Sequence, residues 1–105
     1  MVRVAFRLRV RAECIDAYEA AHRRVWPELL RVIKSVGIRQ YSIFRLGRDL
    51  FFYMHVDNFE RAWSELDRSE INLRWQREMA RFFEPTEDAE PGDRFPMMRE
   101  VFHLD

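Results

Sequence analysis

Arg39-Gln40-Tyr41-Ser42-Ile43-Phe44-Arg45-Leu46, then Gly47-Arg48-Asp49, then Leu50-Phe51-Phe52-Tyr53-Met54-His55-Val56 is the stretch that decides the fold of this chain. Two runs rich in aromatic and β-branched residues flank a short glycine-containing turn, which reads as a β-hairpin. Upstream, Val2, Val4, Phe6, Leu8 and Val10 alternate with mostly arginine, the period of a strand with one buried face. Between that strand and the hairpin, Ile15, Tyr18, His22, Val25, Leu29 and Ile33 recur at helical spacing, with Gly37 as the stop signal. Downstream, Asp57 and Glu60 suggest a capping box for a short helix to about Asp67, and Ser69 caps a second helix predicted over Glu70 to Phe83. Its inward stripe is Ile71, Trp75, Met79 and Phe82. Residues 84 to 96 carry three prolines and several acids and read as a loop, after which Met97 to Leu104 returns to strand character.

The order is therefore β-α-β-β-α-β, an α+β chain of ferredoxin-like type in which helices cover one face of an antiparallel sheet. The other face needs a cover as well. Leu50 to Met54 is apolar at consecutive positions, so both sides of that strand are expected to be buried, and a second subunit is the economical way to bury the outer one. A length of 105 residues suits one domain, 1–105, with one modest core.

Charge and cysteine content narrow the function classes. Lysine plus arginine and aspartate plus glutamate number 18 each, and the pI is near 6.8. Nucleic-acid binding is disfavoured without a basic excess. Arg3, Arg7, Arg9 and Arg11 sit on alternate strand positions, but they read first as a solvated sheet face. Cys14 is the single cysteine, so neither an internal disulfide nor a thiolate zinc cluster is available, which fits a reducing cytoplasm. The alternating start lacks the pattern of a signal peptide, and no stretch approaches membrane-spanning length.

Tyr18-Glu19-Ala20-Ala21-His22-Arg23-Arg24-Val25-Trp26-Pro27-Glu28 carries the chemistry. A spacing of four residues stacks Tyr18 and His22 on one helix face. Pro27 lacks the backbone donor, so the helix ends near Trp26 and a new one starts at the proline. His22 then lies near a helix C-terminus, where partial negative charge favours imidazolium and suits a proton donor. Taken alone, His22 reads equally as a half-buried histidine bonded to a backbone carbonyl. His55 and His103 fall in predicted strands, and the three histidines show no short ligand spacing, so no metal site is expected.

Tyr18 to Leu29, the Tyr41-Ser42-Ile43-Phe44 strand, Arg74-Trp75, and the closing Glu100-Val101-Phe102-His103-Leu104 together resemble the L-rhamnose mutarotase family, in family order and over nearly the whole chain. The resemblance implies a homodimeric, cofactor-free isomerase that interconverts the α and β anomers of a 6-deoxyhexose by opening and reclosing the pyranose ring. It implies His22 as general acid, and sugar contacts from Tyr18, Tyr41 and Trp75. One well-known form of the family has two adjacent tryptophans at the last position, where this chain has Trp75-Gln76. Gln76 can bond a hydroxyl but cannot offer a second ring, which puts the sugar preference in question and leaves L-fucose as an alternative to L-rhamnose. Small cofactor-free monooxygenases and isomerases share the scaffold and form the rival reading. Trp26 and Trp63 are expected in the core or an interface, and the conjugate base is not identifiable from sequence.

Overall fold

A computed structural model describes residues 1–86 and 94–105. Its strands are β1 (Val2–Val10), β2 (Ile38–Leu46), β3 (Asp49–Val56), β4 (Phe83–Glu84) and β5 (Met97–Met98), and its helices α1 (Ile15–His22), α2 (Pro27–Ser35), α3 (Phe59–Leu66) and α4 (Glu70–Ala80). The sheet runs β2-β3-β1-β4, all antiparallel, with β5 also pairing β1. The ferredoxin-like β-α-β-β-α-β order is therefore present, with its last strand in two short pieces on one edge of β1.

The hairpin forms as expected, and it is tighter than the sequence suggests. Leu46 pairs with Asp49, so only Gly47 and Arg48 form the loop. Gly47 takes φ +61° while no non-glycine residue among the described residues has positive φ, the pattern of a II′ turn whose twist matches the flanking strands. At the other end of the hairpin the register slips between Ile38 and Gln40, leaving Arg39 as a bulged residue. That bulge matters for function. Ile38 and Tyr41 are three residues apart and would alternate to opposite faces of a regular strand. The extra residue brings both to the helix side, where Ile38 is core and Tyr41 pairs in register with Met54. Arg39 itself makes a two-point contact with Asp57 at 3.0 and 2.9 Å.

Pro27 divides the first helical segment as the sequence requires. Trp26 is extended (φ −60°, ψ 128°) and Pro27 opens α2. Ser69 caps α4 by accepting from the Asn72 N–H. Three expectations are corrected. Asn58, not Asp57, caps α3, accepting from the Arg61 N–H, because Asp57 is engaged by Arg39. Helix α4 stops at Ala80 rather than Phe83, since Phe83 pairs with Val10 and the Phe82 carbonyl accepts from the Arg11 N–H at 2.7 Å. Of the predicted strand Met97 to Leu104, only Met97 and Met98 pair with β1, and Val101, Phe102 and Leu104 are exposed. Most of the loop expected over 84–96 lies outside the described residues.

Phe6, Val10, Leu50, Phe52, Met54 and Val56 from the sheet pack against Tyr18, Leu29, Ala62, Leu66, Trp75 and Met79 from the helices. Along β3 this gives strict alternation. Leu50, Phe52, Met54 and Val56 are buried, whereas Phe51, Tyr53 and His55 on the outer face are only half-buried in the single chain. No helix among the described residues is long and apolar enough to cross a membrane.

Candidate active site

Three elements aim side chains at one point between the sheet and the helices. Helix α1 delivers Tyr18 and His22 with ring centroids 4.3 Å apart. Helix α4 delivers Trp75, whose ring meets His22 edge-on at 5.5 Å, and strand β2, re-aimed by the bulge, delivers Tyr41. All four, with Gln76, line a single inner cavity of about 50 Å³. The sequence-predicted set is thus brought together without exception. Trp63 and Phe95 line the same cavity, as do Phe6, Phe52 and Phe83. Trp63 was expected in the core or an interface, and it is partly buried against the core, edge-on to Phe6 at 6.1 Å. Its helical spacing looks the same whether the space beyond it is filled or empty.

The inner cavity opens outward. His22, Tyr41, Ile43 and Trp75 are shared with a cleft of about 450 Å³ between α2 and β2, which Leu29, Leu30, Ile33, Lys34 and Arg39 also line. A second cleft lies on the side of Arg23 and Arg45, and it too includes Tyr18, His22 and Ile43. His22 therefore stands where all three spaces meet.

Its chemistry is set by one bond. His22 Nδ1 lies 2.9 Å from the Tyr18 carbonyl oxygen. A carbonyl can only accept, so Nδ1 carries the proton and Nε2 is the nitrogen left to gain or lose one. The carbonyl-bonded reading of this residue from sequence is realised, and the same side chain borders the cavity. The two tyrosines play a different part. Burial pushes the Tyr18 phenol well above its ordinary range, with the neighbouring Tyr41 adding to the effect, and burial pushes Tyr41 up likewise. Both shifts favour the neutral phenol over the phenolate. Neither hydroxyl has a hydrogen-bond partner among the described residues.

Trp75 is held from behind by Trp26, edge-on at 5.1 Å, with the Arg74 guanidinium 5.8 Å from the Trp26 ring centre. Gln76 is an exposed residue at the cavity's edge rather than a buried amide. The other histidines lie elsewhere: His55 bonds Tyr53 on the outer face of β3, and His103 pairs with Asp105 in the tail.

An aromatic-walled cavity bordered by two tyrosines and one imidazole, on a ferredoxin-like scaffold, is an arrangement able to hold a small ligand and exchange a proton with it. Comparison with known proteins specifies the class further. A family model described as L-rhamnose mutarotase matches residues 3–104, and the chain belongs to that family. It is 37 % identical to an L-rhamnose mutarotase of Opitutus terrae over 107 residues, covering 100 % of both chains. The crystal structure of an L-rhamnose mutarotase from Formosa agariphila superposes with a TM-score of 0.80 at 28 % identity, covering 100 % of both chains. Tetracenomycin F2 cyclase from Streptomyces glaucescens, at 14 % identity, TM-score 0.67 and coverage of 100 % of this chain and 98 % of that one, shares the fold alone.

Proposed function

We propose that this chain interconverts the α and β anomers of L-rhamnose, with His22 as the proton-transferring residue. The observation that carries the reading is the convergence of His22, Tyr18, Tyr41, Trp75 and Gln76 on one cavity in a member of the mutarotase family. Opening a pyranose requires a proton on the ring oxygen as its bond to the anomeric carbon breaks, while the anomeric hydroxyl loses its proton to leave an aldehyde. Rotation about the C1–C2 bond and the reverse transfers close the ring on the other face. His22 in its imidazolium form donates from Nε2 to the ring oxygen and retrieves the proton on closure. Tyr18 and Tyr41, kept neutral, serve as hydrogen-bonding groups to sugar hydroxyls, and water takes the anomeric proton. No redox step or cofactor is required.

Space supports a particular placement. A cavity of about 50 Å³ holds a few waters and not a pyranose. The sugar therefore sits at the junction of cavity and outer cleft, with Trp75 and Trp63 offering apolar surface to its C–H face and methyl group. A homodimer belongs to the same reading. The outer sheet face leaves Phe44 61 % and Met98 45 % exposed beside half-buried Phe51 and Tyr53, and a second copy covers that surface. A reducing cytoplasm suits a chain with a single cysteine.

Saturation-transfer NMR on L-rhamnose and L-fucose tests the activity directly. Accelerated exchange of L-rhamnose is expected, and exchange at the uncatalysed rate for both sugars would overturn the assignment.

A further inference from the structure

We propose that Asn72 is a positioning residue: it turns the Gln76 amide so that its carbonyl oxygen, and not its NH2, meets a hydroxyl of the bound sugar. The inference rests on the mutarotase reading and adds to it the polarity of one substrate contact. Asn72 is a buried polar residue of α4, 6 % exposed. Its Nδ2 donates at 3.1 Å to the carbonyl of Leu66, the last residue of α3. That carbonyl also accepts from the Ser69 N–H at 3.0 Å, and a carbonyl can only accept. The bond therefore fixes which end of the Asn72 amide is which, and its Oδ1 is the end left over.

Gln76 lies one helical turn further along the same face, where side chains four apart meet. Its Nε2 is 3.5 Å from Asn72 Oδ1. The contact is at the limit of hydrogen-bonding distance, and it favours one orientation of the Gln76 amide. Rotating the Gln76 amide by half a turn would set two acceptors against each other. Gln76 Oε1 consequently has no protein donor among the described residues, and the side chain borders the cavity that holds His22 and Tyr41. An acceptor in that position selects sugars whose hydroxyl can donate there. The chain of control runs from the end of α3 through Asn72 to Gln76, so a side chain that does not line the cavity sets what the cavity recognises.

Exchange of L-rhamnose and L-fucose over a concentration series, in wild type, Asn72→Ala, Gln76→Ala and the double variant, tests this. Asn72→Ala should raise KM for the preferred sugar about two- to tenfold, with the larger part of the effect in KM rather than kcat. In the Gln76→Ala background the same substitution should have no further effect on KM. Additive losses would overturn the proposal, since they mean that Asn72 acts only through the fold. Should Asn72→Ala not fold, Gln76→Glu against Gln76→Met decides the polarity. A carboxylate keeps the acceptor and a thioether does not, so the Met variant should show the larger rise in KM. Equal losses, or a larger one for Glu, would show that the amide donates instead. A wild-type protein that exchanges neither sugar fails at the first control and removes the parent reading, which separates the two failures.

Discussion

Replacing Tyr18 with Phe should move stability and activity in opposite directions. The ring is 3 % exposed and packs against His22 at 4.3 Å, Phe83 at 5.8 Å and Phe82 at 6.1 Å, and all of these contacts survive in phenylalanine. What is lost is a hydroxyl with no protein partner among the described residues. In the unfolded chain that hydroxyl is fully hydrated, whereas in the fold it borders a cavity and keeps part of its access to water, so folding the wild type gives up some solvation that the variant never had. Stability should hold or rise by up to about 1 kcal/mol, equivalent to roughly 4 °C or somewhat more in Tm for a domain of this size. A neutral hydrogen bond to substrate is worth about 0.5–1.5 kcal/mol, so exchange should fall about two- to twelvefold in kcat/KM. Thermal melts followed by circular dichroism and saturation-transfer NMR on the same preparation read both quantities. A variant that loses more than about 1 kcal/mol of stability and exchanges L-rhamnose at the wild-type rate would refute the reasoning, because the hydroxyl would then belong to the fold and not to the substrate.

Two further outcomes follow from the same structure. Arg39 holds the Asp57 carboxyl below its ordinary value, so the stabilisation is complete above the unfolded-state value near about pH 4 and is lost as pH falls through the lowered folded value. Asp57→Asn should therefore lower Tm at about pH 7, with the deficit shrinking as pH falls through the lowered folded value, and a deficit undiminished in acid would contradict the ion-pair explanation. Light scattering should give twice the chain mass at micromolar concentration, and Phe44→Arg on the outer sheet face should shift the protein toward monomer. A soluble wild-type monomer would remove the proposed cover for that face.

How much of this was legible in sequence depended on how local each cause is. The hairpin, the break at Pro27 and the Ser69 cap are short-range effects of glycine, proline and a hydroxyl, and each stands where its residue stands. The Arg39 bulge was not legible. It arises from pairing with β3, Ile38 with Val56 and Gln40 with His55, and from the contact of Arg39 with Asp57, partners that lie 15 to 18 positions apart in the chain. The same contact withdrew Asp57 from the α3 cap and passed that role to Asn58. Helix α4 was overrun at its end for a related reason: Phe82 and Phe83 continue its apolar pattern, but β1 offers them a strand partner. The resemblance picked out Tyr18, His22, Tyr41, Trp75 and Gln76, while Trp63 was assigned to the core or an interface and Phe95 went unassigned, because a cavity wall and a core have the same periodicity.

The most direct measurement is the anomer-exchange rate of L-rhamnose with purified, folded His22→Ala by saturation-transfer NMR. Removing the only imidazole bordering the cavity should lower exchange roughly 100- to 10,000-fold while the circular dichroism spectrum stays that of wild type. Exchange at the wild-type rate in the folded variant would contradict proton transfer by His22 and place the chemistry elsewhere.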